Sequence, residues 1–248
     1  MNDILYNITS TFGLAVKIAL FALPLWGAIL MILPKSFSQA LLSENFDGAR
    51  MFFLGLILLI LSTFAINGVW QTALATFATG WMALGLIIWL PDYYTNKLFA
   101  INHNITAVTL LILAGLAYFF GLGGKSLAFI GFNEYSFMHL MFWVALVSLV
   151  GSLGVFSLLS EGFKQRILPQ DGNGMTLMII AAMIFFPGAF VANPILSVVL
   201  ASTGITVCML GFLIWLEKSW TEKLISTKLA FVYWPVTVAG FFLATYLL

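Results

Sequence analysis

An internal repeat constrains this chain more than any single segment in it. The stretch Met82–Leu98, MALGLIIWLPDYYTNKL, returns as Cys208–Leu224, CMLGFLIWLEKSWTEKL, at an offset of 126 residues. From Leu84 to Leu98, 8 of 15 positions are identical without a gap, among them Gly85/Gly211, Trp89/Trp215, Thr95/Thr221 and Lys97/Lys223. Leucine matches mean little in an apolar chain, but Gly, Trp, Thr and Lys matches carry weight. The register continues upstream through Phe64/Phe190 and Asn67/Asn193 to Phe37/Phe163 and Gln39/Gln165. Self-similarity at one fixed offset marks a duplicated structural unit, so the expected fold contains two copies of one unit.

Charge says where that unit lives. Only 8% of the residues are charged and 62% are hydrophobic, with a mean hydropathy of +1.08, whereas soluble domains are about 25% charged. Too few charges remain to cover a surface in water, so the expected solvent is lipid. A net charge of +1 argues against nucleic acid as a partner. The single cysteine, Cys208, leaves no intrachain disulfide and no CxxC or thiolate zinc signature. The opening MNDILYNITSTFGLAVK has an acid, Asp3, and no basic leader, which predicts a retained first span rather than a cleaved signal.

A span needs about 20 mostly apolar residues. Eight such runs are predicted, at residues 11–33, 51–66, 71–90, 105–120, 137–159, 175–191, 195–216 and 229–248. Asn67-Gly68 and Asn193-Pro194 read as tight turns at equivalent places in the two halves, while GLGGKSLAFIGFNEYS separates them. With eight spans, the loops after spans one, three, five and seven share one side. They hold Lys35, Arg50, Lys97, Lys164, Arg166, Lys218, Lys223 and Lys228, eight of the ten basic residues. A Lys/Arg excess marks the cytoplasmic side, which puts both termini outside. The expectation is an all-α integral membrane protein of eight transmembrane helices in a bacterial inner membrane. It is a tandem 4+4 parallel repeat, with units 1–122 and 137–248 joined by a glycine-rich linker, 123–136. Equal orientation implies a pseudo-twofold axis along the membrane normal. Asn193-Pro194-Ile195 resembles the half-helix motif of water channels, but the first copy reads Asn67-Gly68-Val69, which favours a turn.

Few residues point to chemistry. All nine acids, from Asp3 to Glu222, fall in predicted loops or termini, so no mid-membrane carboxylate is expected to carry a proton or a hard cation. His103 and His139 are predicted near opposite surfaces, about 30 Å apart, too far to share a haem or a metal. Lys17 is the one charge inside a predicted span; it either snorkels to the headgroups or holds an anionic group at the mouth of a cavity. Thr72, Thr76 and Thr79 share one helix face, and Ser202, Thr203 and Thr206 lie on the counterpart span. They line a weakly polar cleft between the repeats or pack helices together. Ser148, Gly151, Ser152 and Gly154 read as a packing face, and Trp89, Trp215, Trp220, Tyr93 and Tyr94 as an interfacial aromatic belt.

These features predict a permease or channel-like protein for a small neutral or amphipathic molecule, with its pathway at the repeat interface. The substrate-pathway candidates are Lys17, Thr72, Thr76, Thr79, His139, Ser202, Thr203 and Thr206. A non-catalytic membrane subunit of a larger complex is the competing class. An enzyme is disfavoured, since no nucleophile–base pair or metal constellation is visible. No cofactor is expected, and the expected partners are membrane lipid and other membrane subunits.

Overall fold

The computed structural model describes residues 2–32, 45–65, 68–90, 103–121, 134–167, 171–191, 194–216, 220 and 223–247. The regular structure among them is helical: α1 (Asn2–Ile32), α2 (Asn45–Ser62), α3 (Gly68–Trp89), α4 (His103–Gly121), α5 (Glu134–Ser157), α6 (Glu161–Ile167), α7 (Asp171–Phe190), α8 (Pro194–Trp215) and α9 (Ala230–Leu247). A 3₁₀ turn, Thr227–Leu229, leads into α9. Long apolar runs become helices because a backbone in hydrocarbon must satisfy its own N–H and C=O groups. Four stretches, Gly68–Trp89, Met138–Ser157, Asn173–Phe190 and Ile195–Trp215, are long and apolar enough to cross a membrane.

Several boundaries differ from those read in the sequence. α1 begins at Asn2, nine residues ahead of the predicted span. α2 begins at Asn45, so Asp47 and Arg50 are helical rather than part of a loop. The segment after the fifth predicted span, expected to be an irregular polar loop, contains α6. Asn67, Asn193 and most of the linker 123–136 lie outside the described residues. Pro24, Pro187 and Pro235 sit inside α1, α7 and α9.

The offset of 126 residues reappears in helix ends. α2 and α7 start that far apart, α3 and α8 both start and end that far apart, and α4 and α9 end that far apart. Neighbour relations follow the same order. In residues 2–121, α2 packs on α3, and α1 packs on α3 and α4. In residues 134–247, α7 packs on α8, and α5 packs on α8 and α9. The two sets meet chiefly where α3 crosses α8.

The closest helix crossings use glycine. A Cβ on Gly85 of α3 would lie 2.7 Å from the Gly48 carbonyl oxygen of α2. A Cβ on Gly211 of α8 would lie 2.8 Å from the Gly174 carbonyl oxygen of α7. Such backbone approach is what small residues permit between helices in lipid. The outer faces match too: Phe53, Ile57 and Ile60 on α2 and Phe64 in the turn after it are exposed, as are Ile179, Met183, Phe186 and Phe190 on α7, each 126 positions on.

α3 is the centre of the bundle. Every residue from Trp70 to Gly85 is buried. Its aromatic side chains reach into the other half: Phe77 packs on Gly151 of α5, and Trp81 meets Phe156 edge-on with ring centroids 5.5 Å apart. Trp26 of α1 lies against Gly80.

Candidate functional site

Two polar regions stand out in a molecule with little polar material. One is a set of buried hydroxyls and indoles on α1, α3, α5, α8 and α9. Thr72, Thr76 and Thr79 are all fully buried on α3. Each hydroxyl donates to its own helix: Thr72 Oγ1 to the Gly68 carbonyl at 2.7 Å, Thr76 to Thr72 at 2.7 Å, and Thr79 to Thr76 at 2.8 Å. Back-bonding of this kind satisfies a hydroxyl without a partner helix. Thr206 does the same toward the Ser202 carbonyl at 2.8 Å, and its Oγ1 also lies 3.1 Å from Ser148 Oγ across the α5–α8 contact.

Other polar atoms in this region have no hydrogen-bond partner among the described residues. They are the hydroxyls of Ser152, Ser202, Thr203 and Thr237 and the indole Nε1 of Trp26, Trp81 and Trp234. A hydroxyl can rotate toward its own backbone, but an indole N–H is a donor only and its ring direction is set by packing. Each buried donor left unpaired costs on the order of 1–3 kcal/mol, so the three indoles are the stronger signal. Trp26 and Ser152 lie 126 residues apart, so one position of the two halves carries an unpaired polar atom in both. Trp234 Nε1 lies 3.6 Å from where a Gly154 Cβ would stand, and Thr237 Cγ2 lies 3.5 Å from the same point on Gly151, so two of these side chains pack on the small-residue face of α5.

The remaining pathway candidates, Lys17 and His139, are not buried. Lys17 is exposed on α1. His139 is half-buried, and its Nε2 accepts the indole N–H of Trp143 at 2.9 Å, an interaction within α5. Trp89 and Trp215 are both exposed at the ends of α3 and α8.

The second region was missed at the level of sequence. Asp47, expected in a solvated loop, is buried in the first turn of α2. Its carboxylate accepts the Ser160 backbone N–H at 3.1 Å and the Ser160 hydroxyl. Ser160 in turn caps α6, accepting the Phe163 N–H on its Oγ at 3.3 Å. Arg50, one turn on from Asp47, donates from Nη1 to Asp47 Oδ1 at 3.4 Å and to the Leu158 carbonyl at 3.2 Å. Lys164, also expected in solvent, is 1% exposed. Its Nζ donates to Glu161 Oε1 at 2.8 Å and to the carbonyls of Ser157 and Ile225, both at 3.3 Å. Tyr233 closes the same end, donating to the Leu224 carbonyl at 2.7 Å. The start of α2, the α5–α6 turn and the segment before α9 are thus joined by charge-assisted bonds. The partial signal in the sequence was the pairing of acid and base one helical turn apart, at Asp47/Arg50 and Glu161/Lys164.

Among the described residues no group of three His, Cys, Asp or Glu side chains is placed to hold a metal ion. Comparison with protein-family models, with curated proteins and with solved structures finds no match to this chain.

Proposed function

We propose that the chain is an eight-span membrane protein built from two parallel four-helix repeats. Support comes from the shared offset in helix ends, in glycine crossings and in outward-facing side chains. The polar junction adds to it: contacts link Asp47 to Ser160 and Lys164 to Ile225, segments that this topology puts on one side of the membrane. Cysteine labelling checks the arrangement. With Cys208 replaced, a cysteine at Ser219 is expected to react with an impermeant thiol reagent only once the cytoplasmic side is opened. One at Gly123 reacts from outside, and labelling of both from the same side would refute the topology.

The function that fits best is a permease or channel-like protein for a small neutral or amphipathic molecule, its pathway running along the junction of the halves. The observation that carries this reading is the set of buried, unpaired donors on α1, α3, α5, α8 and α9. Stability alone would favour apolar side chains there, whereas a solute bearing acceptor oxygens would satisfy them in passing. The described buried carboxylate, Asp47, sits at a helix end, away from mid-span where proton-coupled carriers place theirs. Movement is therefore down the solute's own gradient. Proteoliposomes challenged with glycerol or urea in a stopped-flow osmotic assay are expected to re-swell several times faster than empty ones, and an imposed pH gradient should leave that rate unchanged. Rates equal to empty liposomes for every solute tried would defeat the permease reading.

One observation favours a membrane subunit instead. Only 22% of the apolar window of α7 is buried, and Phe190 at its end is 85% exposed. On that reading the protein is stable only when co-purified with a partner covering α7.

A further inference from the structure

Along the outer face of α2 runs an open groove of about 500 Å³, lined by Arg50 and by the apolar Phe46, Ala49, Phe53, Leu54, Ile57 and Leu158. We infer that this groove holds one acyl chain of an anionic phospholipid whose phosphate is gripped by Arg50. The inference rests on the membrane placement proposed above.

Dimensions fit first. From Arg50 the lining runs on to Ile57, about 10 Å at 1.5 Å per residue, enough for the first two thirds of a chain within one leaflet. One leaflet contributes about 15 Å of hydrocarbon, half of the roughly 30 Å core. Arg50 lies in the first turns of α2, where a headgroup would lie, and the apolar part extends toward mid-helix. Phe46, Phe53 and Ile57 are all at least half exposed, so the groove opens outward to lipid.

Charge decides the headgroup. The Asp47 side chain is only 2% exposed, against 42% for Arg50, and its oxygens accept from Ser160. The carboxylate thus faces the protein while the guanidinium faces the groove. The hydrogen bonds Arg50 makes to described residues all leave from Nη1, which leaves the other donors of the guanidinium fork for a phosphate. Arg50 Cζ lies 4.3 Å over the centre of the Phe46 ring, a cation–π contact that restrains the guanidinium. At the 126-residue offset Ala49 and Arg50 correspond to Met175 and Thr176, a larger side chain and an uncharged one, so the second half does not repeat this pairing of a small residue with a cation.

The test uses the purified full-length protein in detergent, titrated with phosphatidylglycerol or with phosphatidylcholine of the same acyl chains, and read by native mass spectrometry. One phosphatidylglycerol is expected to be retained at roughly tenfold lower concentration than phosphatidylcholine. Ala49→Phe should abolish retention of both lipids, Arg50→Gln should erase the preference, and Arg50→Lys should keep part of it. If Arg50→Gln fails to fold because the Leu158 carbonyl loses its donor, Ala49→Phe decides alone. Equal retention of the two lipids, retention unchanged in Ala49→Phe, or a dimer that Ala49→Phe splits would each overturn the site. Carbonate extraction of native membranes separates the two levels. Release of the protein would refute the membrane placement itself, whereas a protein that stays in the membrane but shows no headgroup preference refutes the lipid site.

Discussion

Gly85→Val is expected to prevent recovery of monodisperse protein. Its new Cβ would stand 2.7 Å from the Gly48 carbonyl oxygen and 2.8 Å from Phe52 Cα, both backbone atoms that cannot rotate away. Overpacking by a methyl or two usually costs about 1–3 kcal/mol where side chains can shift. Here two helices must separate along their length, so the loss should exceed that range. Gly211→Val, at the equivalent crossing of α7 and α8, is expected to behave alike. Gly115→Val on α4, where a Cβ meets nothing within 4 Å, should elute and melt as the parent does. Size-exclusion profiles and thermal unfolding in detergent read all three. A Gly85→Val protein indistinguishable from Gly115→Val would show that the α2–α3 crossing is not a backbone contact.

Asp47→Ala has the next largest expected effect. Removing the carboxylate strands the Ser160 N–H and hydroxyl that it accepts, and a hydrogen bond to a charged group is worth about 1.5–3 kcal/mol. Ser160 is half-buried and regains some water, so the sum falls to roughly 2–4 kcal/mol. The Arg50 ion pair adds little: it is 3.4 Å long and the arginine side chain is 42% exposed, which keeps it below about 1 kcal/mol. For a chain of this size the fall in Tm should be roughly 4–15 °C. Asp47→Asn keeps an acceptor oxygen and is expected to lose about half as much. Because the carboxylate is buried, added salt should change the difference little. A Tm within a degree of the parent for Asp47→Ala would mean that Ser160 finds another acceptor.

How much of this was legible in the sequence depends on the range of the interaction. Helices form where apolar runs were read, because in hydrocarbon the choice is made locally by the backbone's own hydrogen bonds. The face shared by Thr72, Thr76 and Thr79 follows from spacing alone, but whether each hydroxyl turns to a cleft or to its own carbonyl is a rotamer choice that spacing does not reveal. Hydropathy assigns Asp47 to a loop because it falls wherever a charge stands. A helix nonetheless tolerates a carboxylate in its first turn, where the dipole favours it. Lys164 looked like an ordinary solvated cation. Its burial depends on the Ile225 carbonyl, 61 residues away, and nothing local announces such a partner. Gly48 and Gly174 fall on the 126-residue register but lie among unlike neighbours, Asp47/Asn173 and Arg50/Thr176. Their crossing role shows only once α3 and α8 are seen pressed against them.

The burial of α3 bears on how the molecule is made. Of the four stretches long enough to span, Gly68–Trp89 has the lowest mean hydropathy, 1.5, and the largest buried share, 83%. The helix least at home in lipid is the one most completely shielded from it. Its shield includes α8, whose equivalent residues leave the ribosome 126 positions later, roughly 6–25 s at 5–20 residues per second. During that interval the part of α3 that packs on α8 has no partner from this chain. The central helix therefore completes its burial only when the second half arrives, so the later half finishes a core that the earlier one begins.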